Sequence, residues 1–259
     1  MKEFFGFGGY QRPAEGFLSW QHLLFVSTLV VLMVILAVTV GKKYAKRPEK
    51  KKNFPLLIAA IAIDSIEIFR IVMICVRDND PMAWIRMLPL FLCSIQLITI
   101  PLAALSHGRL KEAALDFVFI FGLLGALMGT YGAGQNYGCY PVLSIDNVSS
   151  GLTHTISGFS SIYIGVSHMT SMKKRNIPIT FAILLGVCAA ALIADLTIPY
   201  NYMFLMRGDG TPYDIFYNLV NGNPILYPIL VVALFLLYIV AFYFVYFLVC
   251  GKKKKRLFA

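Results

Sequence analysis

Apolar residues in this chain fall in long runs separated by short polar punctuation. Crossing the hydrocarbon core as a helix takes about 20 mostly apolar residues. Seven stretches meet that length: residues 20–40, 54–76, 85–105, 113–131, 148–169, 177–198 and 224–250. Each is bounded by a charge run or by a turn rich in Gly, Pro or Asn. Only a polar hinge at 106–112 separates the third from the fourth, which predicts a tight antiparallel pair. The expected fold class is an all-α integral membrane protein with seven transmembrane helices. It forms a single domain over residues 1–259, with an outer segment at 1–19 and a basic cytoplasmic tail at 251–259.

Composition supports this reading. The chain is 58% hydrophobic and 14% charged, whereas a soluble domain is about one quarter charged. Its net charge of +10 would point to nucleic acid in a soluble protein. Here the basic residues sit in the loops, so they report membrane orientation, and nucleic acid is not an expected partner. Seventeen Lys and Arg lie in one set of loops, at 42–52, 109–111, 173–175 and 252–256. The opposite set holds five: Lys2, Arg12, Arg77, Arg86 and Arg207. The expected topology in the cell membrane is N-terminus outside and C-terminus cytoplasmic. The first apolar run, at Trp20, is long enough to span, so no cleavable signal peptide is expected.

The five cysteines show no CxxC pair and no metal-ligand spacing, so neither a metal nor a cofactor is expected. Cys75, Cys188 and Cys250 read as filler. Cys139, in an outer loop, could pair with Cys75 or Cys93 in an oxidising compartment. Asn147-Val148-Ser149 is a glycosylation sequon on the outer side.

Ionisable groups within spans are costly and normally face protein or a cavity. Asp64, Glu67 and Arg70 share one stripe of the second span, where they can serve a site or neutralise one another. The third span carries Cys93 and Gln96 between Pro89 and Pro101, and the fifth carries His154 among Thr153, Thr155, Ser157 and Ser160. The sixth ends at Asp195, followed by Tyr200, Asn201 and Tyr202. At about 1.5 Å per residue, Arg70, Cys93, His154, Asp195 and Asn201 all fall in the outer half of the bilayer. That shared depth predicts one cavity near the outer leaflet. Cys and His together are the minimum set for thiolate catalysis, with the imidazole taking the thiol proton. A carboxylate such as Asp195 or Glu67 could orient the ring, and Arg70 or Asn201 could hold a phosphate or an oxyanion.

Several short motifs then resemble one family. FLSWQ (17–21) opens the first span, and Glu67 followed by Arg70 matches an acid-then-base pair in the second. LPLFLCSI (88–95) is similar to a bacterial pattern L-P-L-H-L-C-D-I, with Phe91 in place of His and Ser94 in place of Asp. GLTHTISGFSSIYIG (151–165) resembles a His-bearing fifth span, and PYNYMFLMRGDG (199–210) a bacterial N-Y-M-Y-L-R segment. The family is that of the YwaF-like bacterial membrane proteins, whose animal relatives include the transmembrane-protein-164 phospholipid acyltransferases. The resemblance implies transfer of a fatty acyl group to a lysophospholipid, with Cys93 as nucleophile and His154 as base. Glu67, Arg70, Gln96, Asp195, Asn201 and Tyr202 are the expected supporting or lipid-binding residues. Membrane phospholipids and lysophospholipids are the expected partners. An outer-leaflet site cannot draw on cytosolic acyl-CoA, so the expected donor is another lipid's ester. The competing class is a non-catalytic lipid-binding protein, sensor or carrier; the absence of an inverted repeat argues against a carrier.

Overall fold

The computed structural model describes residues 2–170 and 172–256, and side chains as far as Val249. Side chains from Cys250 onward and residues 257–259, part of the predicted basic tail, lie outside the described residues. The chain divides into two compact units, 1–170 and 171–259. The first comprises α1 (Lys2–Phe5), α2 (Trp20–Tyr44), α3 (Glu49–Arg77), α4 (Gln96–Leu105), α5 (Gly108–Thr130), α6 (Gly134–Cys139) and α7 (Ile145–Val166). The second comprises α8 (Ile177–Thr197), α9 (Asp214–Leu219) and α10 (Leu226–Arg256). No strand occurs among the described residues. Four stretches among the described residues are long and apolar enough to cross a membrane: Trp20–Tyr44, Gly108–Cys139, Lys174–Thr197 and Leu226–Val249. At 29 and 22 residues, α3 and α7 have spanning length but are more polar.

One predicted helix is broken. Of the span expected at 85–105, only Gln96–Leu105 is α-helical, preceded by a short 3-10 turn at Ala83–Met87 and an irregular stretch. The cause is Pro89, which has no N–H to donate and biases Leu88 away from the α region. Leu88 sits at φ −56°, ψ 145°. Pro101, inside α4, does not interrupt the helix.

The centre of the first unit is α7, which packs on α2, α3 and α5. Its inward positions are mostly small or polar: Ser149, Ser150, Gly151, Thr155, Ser157, Gly158, Ser160 and Ser161 are all buried. Small residues let helix backbones approach closely, the main source of helix–helix affinity where no hydrophobic drive exists between them. Ser161 Oγ donates to the Phe119 carbonyl of α5 at 2.7 Å, and Ser157 Oγ to Gly122 O at 3.3 Å. A second cluster joins Leu56, Ala60 and Ile63 of α3 to Ile100 of α4, Val118 of α5 and Tyr163 of α7. The Tyr163 hydroxyl is satisfied by the Lys52 carbonyl at 2.7 Å.

Buried polar links tie the other end of this unit. The His22 Nδ1 accepts from Leu18 N at 3.1 Å and Nε2 donates to Thr130 O at 3.1 Å, with the ring stacked on Tyr137. Arg77, closing α3, donates to Asp146 Oδ2 in the first turn of α7 at 2.6 Å, and Tyr10 OH donates to the same oxygen at 2.6 Å. Burial and the bond to Asp146 push the Tyr10 hydroxyl above the usual phenol range. Burial disfavours the Arg77 charge, but its bonds to Asp78 and Asp146 outweigh that and hold the guanidinium above its ordinary value.

Asn147 of the sequon is fully buried, and its amide donates to the carbonyls of Tyr140 and Pro141. Cys75, Cys93, Cys139 and Cys188 are free thiols, so the pairing open to Cys139 is not made in this structure.

In the second unit α8 packs on α10, with Tyr243 OH 3.4 Å from Thr180 Oγ1. The chain leaving α8 passes through Met203 and Phe204, both at positive φ. Side chains hold it there: Asp195 Oδ1 accepts from Tyr202 N at 2.6 Å, and Asn201 Oδ1 from Met206 N at 3.0 Å. Asn201 Nδ2 donates to Arg207 O and to Asp209 Oδ2.

Candidate active site

The helix break places Cys93. Between Pro89 and α4 the chain forms a compact turn, in which Ser94 Oγ accepts from Phe91 N at 3.0 Å and donates to Phe91 O at 3.1 Å. Ser94 thus closes this turn back onto Phe91. Cys93 sits in this turn, with its carbonyl receiving the Gln96 N–H at the start of α4. Its side chain is exposed.

Two glycines of α5 lie beside Cys93 and His154. A Cβ added at Gly125 would lie 3.9 Å from the Cys93 Cα and Cβ, and one at Gly129 would overlap the His154 ring. Cys93 and His154 therefore rest on α5 at positions four residues apart, about 6 Å along its axis. Thiol and imidazole lie close enough to act on each other electrostatically. His154 Nδ1 lies 2.7 Å from the carbonyl of Ser150, one turn earlier in α7. A carbonyl only accepts, so Nδ1 carries the proton and Nε2 offers its lone pair. The ring's orienting group is thus a backbone carbonyl, in place of the expected carboxylate.

Arg70 is close enough for its charge to act on the His154 ring. It forms a two-point ion pair with Glu67, with Nε 3.1 Å from Oε2 and Nη2 meeting Oε1. Glu67 is buried, and among the described residues Asp64, the third member of the predicted stripe, joins no ion pair. Gln96 is fully buried, and its Oε1 accepts from Thr99 Oγ1 at 3.1 Å. The structure thus brings Cys93, His154 and the Glu67–Arg70 pair into one neighbourhood of the first unit, with Gln96 a few residues from Cys93. Asp195, Asn201 and Tyr202 belong to the second unit, where they hold the loop after α8.

Sequence reasoning missed Ser150, Gly125 and Gly129, and also the links made by His22, Arg77, Asp146 and Tyr10. Ser150 had a usable signal, since it precedes His154 by four residues on a helix. No spacing connects residues 10, 77 and 146.

An all-helical chain with several membrane-length helices and a thiol–imidazole pair inside one helical unit defines a multi-pass membrane protein. The chain matches the TMEM164 family over residues 17–252 and belongs to that family. No curated protein and no solved structure matches it.

Proposed function

We propose that this protein is a membrane-embedded lipid acyltransferase that carries the acyl group as a thioester on Cys93. The observation that supports it most is that Cys93 and His154 lie side by side against α5, with the imidazole Nδ1–H fixed by Ser150, which leaves Nε2 as the base. The resemblance to animal phospholipid acyltransferases points the same way.

In the first half-reaction Nε2 takes the thiol proton and the sulfur attacks the ester carbonyl of a donor phospholipid. The ester C–O bond breaks, and the departing lysolipid oxygen takes the proton from Nε2. In the second, the hydroxyl of an acceptor lysolipid gives its proton to Nε2 as its oxygen attacks the thioester. The C–S bond breaks and the thiolate regains a proton from the imidazolium, restoring both groups. The N–H groups of Cys93 and Ser94 are assigned to the oxyanion of each tetrahedral intermediate. Arg70, steadied by Glu67, is assigned to the headgroup phosphate. Gln96 supports the turn that carries Cys93, and Asp195, Asn201 and Tyr202 shape their own loop. Ester and thioester exchange needs no coenzyme A, which suits a site in the outer half of the bilayer. Incubating purified protein with a phospholipid bearing a fluorescent acyl chain should give a hydroxylamine-sensitive adduct on the peptide containing Cys93. No adduct, or one on another residue, defeats the reading.

The same proposal places seven crossings in the membrane, with the N-terminus outside. A reporter fused after Ala259 is then expected to be active only in its cytoplasmic form. A reporter active on the outside would overturn the outer-leaflet assignment.

A further inference from the structure

Three glycines lie within α5 beyond its first residue, and two are explained by close contacts. A Cβ at Gly122 would meet the Ser157 carbonyl oxygen at 2.7 Å and Ser161 Cβ at 2.9 Å, and one at Gly129 would overlap His154. Gly125 is different. Its Cβ would meet only Cys93, at an ordinary van der Waals distance of 3.9 Å, and the position is only partly buried. Glycine inside a helix is destabilising relative to alanine, and neither packing nor a positive φ requires it here. What glycine supplies at 125 is open space beside an exposed thiol, on the helix that also seats the His154 ring.

We propose that Gly125 is the residue that fixes how large an acyl group Cys93 accepts: the space above it receives the first methylenes of the fatty acyl chain as the ester carbonyl reaches the sulfur. The assignment rests on the reading of Cys93 as the acyl-carrying thiol. It makes residue 125 a gauge: each carbon added there removes volume next to the thioester, while the Cys93–His154 pair, held by Ser150 and Gly129, is left in place.

The test uses Gly125→Ala, Gly125→Val and Gly125→Leu in the full chain, with two readouts at Cys93 resolved by peptide mass spectrometry so that Cys139 does not contribute. The first is alkylation by a small reagent, methyl methanethiosulfonate, and by a bulky one, N-phenylmaleimide. The second is the rate of adduct formation from the fluorescent phospholipid. The small reagent should react with every variant at the parent's rate. The bulky reagent and the phospholipid should both slow in order of side-chain size, by about tenfold for alanine and about a hundredfold for leucine, the scale on which methylenes alter a fitted apolar site. Should the larger variants fail to fold, Gly125→Ala carries the test. Parental rates with the bulky reagent would show that no confined space exists at Gly125. Slowed alkylation with parental adduct formation would show that the acyl chain lies elsewhere. Either result overturns the inference. Loss of the acyltransferase reading itself would show separately, as acyl transfer that survives Cys93→Ser.

Discussion

Replacing Cys93 with serine is expected to abolish the acyl adduct and to lower acyl transfer by about three orders of magnitude or more. Serine is nearly isosteric, so the turn held by Ser94 and Phe91 should persist and folding should be unchanged. What is lost is the nucleophile: a hydroxyl holds its proton far more tightly than a thiol, and a lone imidazole steadied by a backbone carbonyl activates it poorly. His154→Ala should cost about as much, because without Nε2 the thiol proton has no acceptor in the pair. The two side chains act as one unit, so the double variant should be no slower than the worse single one. Lipid binding, measured by fluorescence transfer from a labelled phospholipid, should survive in all three. Parental transfer by either single variant would show that this pair does not carry the reaction.

Removing Arg77 should destabilise the first unit by about 3–5 kcal/mol, because the Asp146 carboxylate is left buried without its counter-ion. Both side chains are largely shielded, at 11% and 7% exposed. Asp146→Ala should cost less, since Arg77 keeps its ion pair with Asp78, while Asp146 in Arg77→Ala keeps only the Tyr10 hydroxyl. Tyr10→Phe removes one hydrogen bond to a charged group and should cost about 1.5–3 kcal/mol. An Arg77→Met/Asp146→Leu double variant should lie closer to the parent than either single alanine variant, since apolar groups of similar size leave no unpaired charge. Unfolding in detergent followed by circular dichroism would measure these differences. Arg77→Ala as stable as the parent would show that the pair contributes nothing. The pair acts on structure rather than chemistry, since Asp146 lies eight residues from His154 on α7, about 12 Å away along the axis.

Apolar run length dictates much of the helical architecture from sequence alone. Six of the seven predicted stretches appear as helices near their predicted bounds, because burying backbone hydrogen bonds inside an apolar helix is a local matter. The third does not, although Pro89 stood in plain view: a proline marks where a helix can break, and tertiary packing decides whether it does, as Pro101 inside α4 shows. The candidate site divides in the same way. Cys93, His154, Glu67 and Arg70 stood out as polar residues in costly surroundings, which composition reveals one residue at a time. Their mutual placement depends on how closely α5 and α7 approach, and that is set by which glycines and serines face each other across the two helices. The Ser150 carbonyl that fixes the imidazole is a backbone atom, invisible to any reading by residue type. Tyr10, Arg77 and Asp146 come from three distant parts of the chain and meet only because the folded helices end side by side. A linear pattern records what each residue can bond to, and three-dimensional packing selects the partner.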